Sequence, residues 1–250
     1  MRKAISFLFL IALSSVFAQT KNSLLQISHL TGDFYIYRTF NKYKGNLISA
    51  NAMYLVTQKG VVLFDSPWDK NQFQPLLDSI KARHGKEVLM YFATHSHDDR
   101  AGGFDFYRKK GIKTYSIQQT DEILKTTNKP RAEIVIRNDT VLNIGEHSFR
   151  IFYPGKGHAP DNIVVWFDKE KVLYGGCFVK SVLAKDLGYL GDSDVVEWEK
   201  SIKNVQTSFS NPLYVIPGHG DWDNVKSLDH TLQLIQEYNK SNRSDQSDKK

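Results

Sequence analysis

Two histidines and two aspartates lie within five residues of the stretch YFATHSHDDRAGG, directly after an apolar run. In an extended segment the side chains of His95 and His97 point the same way, so two imidazoles can bind one cation. Asp98 points to the other side unless the chain turns, whereas Asp99 stands where a helical run begins. Hydrogen-bonding loop residues with a capping aspartate explain this motif about as well, so further ligands are needed to identify a metal site.

Three further residues with metal-binding side chains follow later in the chain, each beside glycine. His158 lies in YPGKGHAPDN, Cys177 follows a double glycine in YGGCFVK, and His219 follows Pro-Gly in VIPGHGDW. Glycine allows a close approach of the backbone, so these loops can meet at a shared centre. His95, Cys177 and His219 also come at the ends of apolar strand runs, where a rigid scaffold presents chemistry.

Nitrogen, oxygen and sulfur ligands in one set favour Zn²⁺ over Mg²⁺ or Ca²⁺. The candidate ligands are His95, His97, Asp99, His158, Cys177 and His219. Six ligands exceed one tetrahedral zinc, so we expect two sites with three protein ligands each, and such open sites are typical of catalysis. The remaining histidines lie on helices or strand flanks and are interpreted as structural.

The elements that must position these residues alternate between helices and strands in both halves of the chain. Apolar periodicity and turn residues predict strands at 33–40, 51–57, 60–65, 87–95, 114–117, 133–144, 147–155, 162–168, 171–177 and 213–219. Helices are predicted at 74–85, 103–111, 120–128, 194–209 and 225–238. Strands must be covered by helix faces, which predicts a layered α/β architecture. A pair of sheets between outer helices fits, although periodicity does not fix the order of the strands.

The length and composition predict an ordinary exported globular protein. Residues 1–18 combine a basic start, a short apolar run and a small residue at Ala18, which is typical of a cleaved signal peptide. The mature chain, residues 19–250, is expected to form one domain with a polar tail from about residue 240. The residue after the cleavage point is Gln19, so no lipid or membrane anchor is expected. A membrane anchor formed by the uncleaved run is the alternative.

Charge and cysteine content exclude some classes of partner. Cleavage would lower the net charge from +6 to +4, and the lysines are scattered with no basic stripe, so nucleic acid binding is not expected. Cys177 is the only cysteine, which rules out an intramolecular disulfide. With no long apolar seam in the sequence, a monomer is expected.

In combination, HSHDDRAGG, GKGHAPDNIVVW, GGCFVKS and GHGDW resemble the subclass B1 metallo-β-lactamases, in this order and spacing. The resemblance covers about residues 27–238. It implies a four-layer αβ/βα sandwich of two mixed sheets between outer helices, and two zinc ions per chain. By this resemblance His95, His97 and His158 bind the first zinc, and Asp99, Cys177 and His219 bind the second.

The resemblance also implies an activity. It is hydrolysis of the β-lactam amide of penicillins, cephalosporins and carbapenems in the periplasm, which confers antibiotic resistance. Lys180 would bind the substrate carboxylate, Asp99 would also help to move a proton, and Arg100 would lie under the second zinc. Asp65 would orient ligands, although a strand-end turn explains it equally well. Residues 39–50 fall where the family has a flexible hairpin over the site.

Two alternatives remain. Glyoxalase II-type thioesterases share the fold, but they have histidine where this chain has Arg100 and a bridging carboxylate in the later loop where it has Cys177. The second alternative is a zinc-storage or zinc-dependent binding protein without catalysis. It would leave Lys180 without a role, which argues against it. The chain also departs from the family pattern: Tyr189 replaces a substrate-binding asparagine, and Ala159 replaces a threonine after the third histidine.

Overall fold

The computed structural model describes residues 24–247, which fold into two β-sheets with helices on their outer faces. The strands are β1 (Leu25–Thr31), β2 (Phe34–Tyr43), β3 (Asn46–Val56), β4 (Val61–Phe64), β5 (Val88–Phe92), β6 (Lys113–Ile117), β7 (Ile134–Ile136), β8 (Asp139–Ile144), β9 (His147–Phe152), β10 (Val164–Phe167), β11 (Val172–Gly176) and β12 (Tyr214–Pro217). The helices are α1 (Phe73–His84), α2 (Asp98–Ala101), α3 (Phe104–Lys109), α4 (Gln118–Thr126), α5 (Val195–Ser208) and α6 (Ser227–Ser247).

Both sheets are mixed, which confirms the predicted sandwich. One sheet has the order β1-β2-β3-β4-β5-β6-β7, antiparallel as far as β4 and parallel from β4 to β7. The other has the order β12-β11-β10-β9-β8, with β11 and β12 parallel. Apolar side chains of both sheets form the central core, and further cores separate each sheet from its helices. The layers are therefore helix, sheet, sheet, helix.

Strand direction explains why the candidate residues lie at one end of the sandwich. Parallel neighbours β4 and β5 finish at the same edge of their sheet, and so do β11 and β12. Two backbone hydrogen bonds then join the edges of the two sheets: Ile163 N–H donates to Thr94 O at 2.9 Å and Asn51 N–H donates to Gly218 O at 2.8 Å. The loops after all four strands consequently open into one region.

The structure differs from the predicted elements at three places. Strand β1 was not predicted, because LQISHLT has no clean alternation of apolar and polar residues. The predicted run 133–144 divides between the edges of two sheets as β7 and β8. Helix α6 continues to Ser247, into the segment expected to be a polar tail.

The predictions about the chain termini fall partly outside the residues that the structure describes. The predicted signal peptide, residues 1–18, lies outside the described residues, as does the end of the polar tail. Among residues 24–247, no helix is long and apolar enough to cross a membrane.

Candidate metal centre

Three histidine rings converge at the junction of the two sheets. His95 Nε2 lies 3.0 Å from His97 Nδ1, and the His158 ring centroid lies 5.1 Å from the centroids of both other rings. His95 and His158 are buried, and burial lowers the pKa of each well below the usual 6.5. Both imidazoles are therefore neutral near pH 7, which is the form that binds a metal.

A chain of hydrogen bonds orients the His95 ring. Thr94 Oγ1 lies 3.3 Å from His95 Nδ1 and donates to Asp65 Oδ2 at 2.9 Å, while Thr94 N–H donates to Asp65 Oδ1 at 2.7 Å. The Thr94 hydroxyl donates its hydrogen to Asp65, so toward His95 it can only accept. Nδ1 of His95 must therefore carry the proton, which leaves Nε2 free to bind a cation. Burial raises the pKa of Asp65, and Arg100 and Tyr174 oppose that rise.

His97 is oriented by a residue that the sequence analysis did not single out. Its Nε2 lies 2.8 Å from Asp192 Oδ2, which turns Nδ1 toward the other histidines. The only sequence signal for Asp192 was a carboxylate in the glycine-flanked loop LGYLGD. By contrast, His158 Nδ1 is buried without a hydrogen-bond partner in the part of the chain that the structure describes. Its neighbour Ala159 has no hydroxyl to offer.

A second cluster adjoins the first and contains one sulfur, one oxygen and one nitrogen donor. Cys177 Sγ lies 3.2 Å from His219 Nε2 and 3.5 Å from Asp99 Oδ2, and the last two atoms are 3.2 Å apart. His219 Nδ1 lies 2.7 Å from the carbonyl oxygen of Ser49 and must donate to it, so Nε2 is the nitrogen available to a metal. Gly218 is required here, because a Cβ would lie 2.8 Å from Cys177 Sγ.

The charges of this cluster favour a bound cation. Burial acts to raise the pKa of Asp99, but Arg100 and His219 hold it well below 3.8, so the carboxylate is ionised. Burial acts to lower the pKa of His219, yet the neighbouring Cys177 and Asp99 outweigh it and raise the value to about 9. A proton and a metal ion compete for the same nitrogen, and these two neighbours stabilise either one.

Arg100 is fully buried beneath the second cluster. Its guanidinium lies 3.2 Å from Cys177 Sγ through Nε and 3.1 Å from Asp99 Oδ2 through Nη2. It also donates to the carbonyl oxygens of Asn51 at 2.6 Å and Gly218 at 2.8 Å. Arginine cannot act as a ligand, because it stays protonated in proteins. Arg100 instead fixes the positions of two candidate ligands and partly balances their charge.

The donor sets fit zinc. In the second cluster the three ligand atoms lie within 4.8 Å of one another, and in the first the three imidazole rings lie 4.5–5.1 Å apart between centroids. Ligand atoms of His95, His97 and Asp99, and those of His95, His158 and Cys177, also lie within 4.8 Å of one another, so the two clusters adjoin. Three imidazole nitrogens in one cluster, and nitrogen, oxygen and sulfur in the other, are typical zinc donors. Each leaves one tetrahedral position open, which is the arrangement of catalytic sites.

The clusters form the floor of a cavity of about 720 Å³. Trp68 lies against His219 at 5.9 Å between ring centroids, and Tyr43 from the β2–β3 hairpin contacts Trp68 at 6.1 Å. On the opposite side, Tyr189 contacts His97 edge-on at 5.7 Å and is 52% exposed. Lys180 also lines the cavity. Aromatic side chains therefore form part of the walls, Lys129 and Lys180 supply positive charge, and the volume suits a small organic molecule.

One other group of possible ligands lies at the opposite end of the sandwich and is explained without a metal. His147 Nε2 lies 3.1 Å from Asp33 Oδ2, and its Nδ1 lies 3.3 Å from Glu170 Oε1. Both ring nitrogens thus have carboxylate partners, as in an ion-pair cluster. The other histidines outside the centre, His29, His84 and His230, hydrogen-bond to Gly32 O, the Tyr54 hydroxyl and Ala184 O. These contacts agree with the structural roles predicted for them.

Comparison with known proteins identifies the family. The family model of the metallo-beta-lactamase superfamily matches residues 45–220. The chain is 49% identical to a metallo-beta-lactamase type 2 of Elizabethkingia meningoseptica over 86% of each chain. It is 45% identical to metallo-beta-lactamase IND-1 of Chryseobacterium indologenes over 94% of this chain and 99% of the relative.

Solved structures agree with the sequence matches. The crystal structure of metallo-beta-lactamase IND-7 superposes with a TM-score of 0.82 at 46% identity, covering 85% of this chain and 98% of that one. A metallo-beta-lactamase from Pontibacter korlensis gives a TM-score of 0.82 at 31% identity. With the fold, the donor sets and these relatives in agreement, the chain belongs to the metallo-β-lactamase superfamily, within its subclass B1.

Proposed function

We propose that this metallo-β-lactamase opens the β-lactam amide of penicillins, cephalosporins and carbapenems with two zinc ions, and thereby confers antibiotic resistance. The observation that carries the proposal is the convergence of all six candidate ligand side chains beside one cavity. The first zinc would be held by His95, His97 and His158. The second would be held by Asp99, Cys177 and His219.

Bound zinc lowers the pKa of a coordinated water to about 7 and polarises a carbonyl oxygen. The chain's own residues bind and orient the substrate around that chemistry. Lys180 offers an ammonium group to the carboxylate of the lactam, and Trp68 and Tyr189 enclose the apolar faces of the substrate. Asp99 accepts or returns a proton at Oδ2, an oxygen that faces both Cys177 and His219. Because these groups are held in fixed positions, they contribute to catalysis by orienting the substrate.

The thioesterase alternative is disfavoured by two residues and by the relatives. Arg100 occupies the place of an additional histidine ligand and is committed to carbonyl oxygens and ligand side chains beneath the centre. Cys177 supplies sulfur where those enzymes supply a bridging carboxylate. The named relatives at 45% and 49% identity are metallo-β-lactamases.

The proposal extends to the cellular setting. Cleavage of residues 1–18 would release a mature chain of residues 19–250 into the periplasm, where β-lactams reach their targets. The mature protein would act as a monomer, since every candidate ligand comes from one chain.

We expect the zinc-loaded mature protein to open a penicillin, a cephalosporin and a carbapenem. Ring opening is followed by the loss of ultraviolet absorbance of the lactam. A glutathione thioester, assayed through release of its thiol, serves as the control. Turnover of all three lactams with no thioester cleavage supports the proposal. Thioester cleavage without lactam opening would instead assign the protein to the thioesterases.

A further inference from the structure

The ammonium group of Lys180 lies on the face of an indole ring. Its Nζ is 5.3 Å from the centroid of the Trp198 ring, which is within the range of a cation–π contact. Among residues 24–242, no carboxylate lies within 4 Å of Lys180 Nζ. The indole face is thus a group of negative electrostatic character that the structure places against this cation.

Trp198 is itself rigidly held. Its side chain is fully buried on α5, and its Nε1–H donates to the carbonyl oxygen of Phe178 at 3.1 Å. Gly157 leaves the space for the ring, because a Cβ there would lie 2.8 Å from Trp198 Cδ1. The same ring contacts His158, at 5.9 Å between centroids. One immobile indole thus lies beneath a candidate zinc ligand and the candidate substrate lysine.

We propose that Trp198 is a positioning residue that holds the Lys180 ammonium, through a cation–π contact, at the point where it meets the substrate carboxylate. This inference rests on the proposed function, because the carboxylate belongs to a β-lactam.

Two features show why the lysine needs such a partner. Its backbone is anchored, since Lys180 N–H donates to Thr231 Oγ1 at 2.7 Å, but its long side chain has four rotatable bonds. Fixing a flexible side chain only on binding costs affinity, so a preordered ammonium binds substrate more tightly. Burial also lowers the pKa of Lys180, with Cys177 and Asp99 acting in the opposite direction. An aromatic face partly offsets the loss of hydration.

The decisive test replaces Trp198 by tryptophans with one to four ring fluorines, introduced at that codon alone. Fluorine withdraws electron density from the ring face and leaves the shape almost unchanged. We expect KM for a β-lactam to rise stepwise, to about three- to tenfold with the full set of fluorines. We expect kcat and zinc content to stay constant. A structural role for the ring would give no such trend.

Conventional variants provide controls. Trp198→Phe should raise KM, and in a Lys180→Met background the same substitution should leave KM unchanged. Trp166→Phe is the matched control, because Trp166 is also buried and has Lys171 5.5 Å above its ring, yet Lys171, unlike Lys180, does not line the cavity. It should leave KM unaltered.

The outcomes separate the inference from the proposed function. The inference alone is overturned if the protein hydrolyses lactams with a KM that does not change on fluorination. It is also overturned if the effect of Trp198→Phe persists when Lys180 is replaced. A wild-type protein that opens no β-lactam overturns the proposed function and the inference with it.

Discussion

Replacement of Arg100 by leucine should destabilise the protein by about 3–5 kcal/mol, because it leaves buried charges without a partner. The guanidinium lies 3.1 Å from Asp99 Oδ2 and 3.4 Å from Asp65 Oδ2. It also donates hydrogen bonds to two buried carbonyl oxygens, those of Asn51 and Gly218. Leucine has no N–H in its side chain that could replace these bonds. The free energy of unfolding is measured by urea denaturation, with and without zinc.

Zinc gives this prediction a specific signature. A bound cation neutralises Asp99 and Cys177 but leaves Asp65 unpaired, so zinc should restore part of the stability of Arg100→Leu and not all of it. Arg108→Leu is the matched control: Arg108 pairs with Asp105, but its side chain is 44% exposed. Such surface pairs contribute at most about 1 kcal/mol. Equal stability losses in the two variants would contradict the role given to Arg100.

Substitution of Cys177 by serine should weaken zinc binding at the second cluster by at least about 100-fold, since even groups that only orient ligands are worth 10–100-fold. A neutral hydroxyl replaces the sulfur that lies 3.2 Å from His219 Nε2. The first cluster has its own three imidazoles and should retain its zinc. Both dissociation constants follow from competition with a coloured chelator.

Asp98→Asn is the control for this experiment. Asp98 neighbours Asp99 in sequence, but its carboxylate pairs with Lys129 at 2.8 Å and is 66% exposed. It should bind two zinc ions as the wild type does. Two zinc ions bound with unchanged affinity by Cys177→Ser would show that the ligands are assigned wrongly.

The sequence predicted those parts of the site that come from short, contiguous motifs. Alternation of side chains along an extended segment predicted that His95 and His97 lie together, and the structure places their ring centroids 4.5 Å apart, although residues 94–97 form bends beyond the end of β5. The split of the six residues into two clusters came from the family resemblance and stays a prediction, because the structure also brings His95 and His97 together with Asp99, and His95 and His158 together with Cys177. Alternation of helices and strands likewise predicted the layered fold.

Residues that act through contacts distant in sequence were harder to predict. Asp192 contacts His97 across 95 positions, and its loop has no periodicity that would indicate a partner. The predicted helix at 194–209 accounts for Trp198 only as a helical residue and does not indicate its contact with Lys180. The strand β1 owes its pairing to β2 and not to its own pattern. Tertiary packing decides such features, and local sequence does not encode it.

The central claim is that two zinc ions, one in each cluster, drive opening of a β-lactam. The most direct test removes metal from the mature protein with a chelator and returns zinc stepwise, with bound metal and carbapenem hydrolysis measured on each sample. We predict no hydrolysis without metal, binding that saturates at two zinc ions per chain, and full activity at that ratio. Hydrolysis that survives complete removal of the metal would contradict this prediction. So would a protein that binds no zinc, or one that binds another metal such as iron in its place.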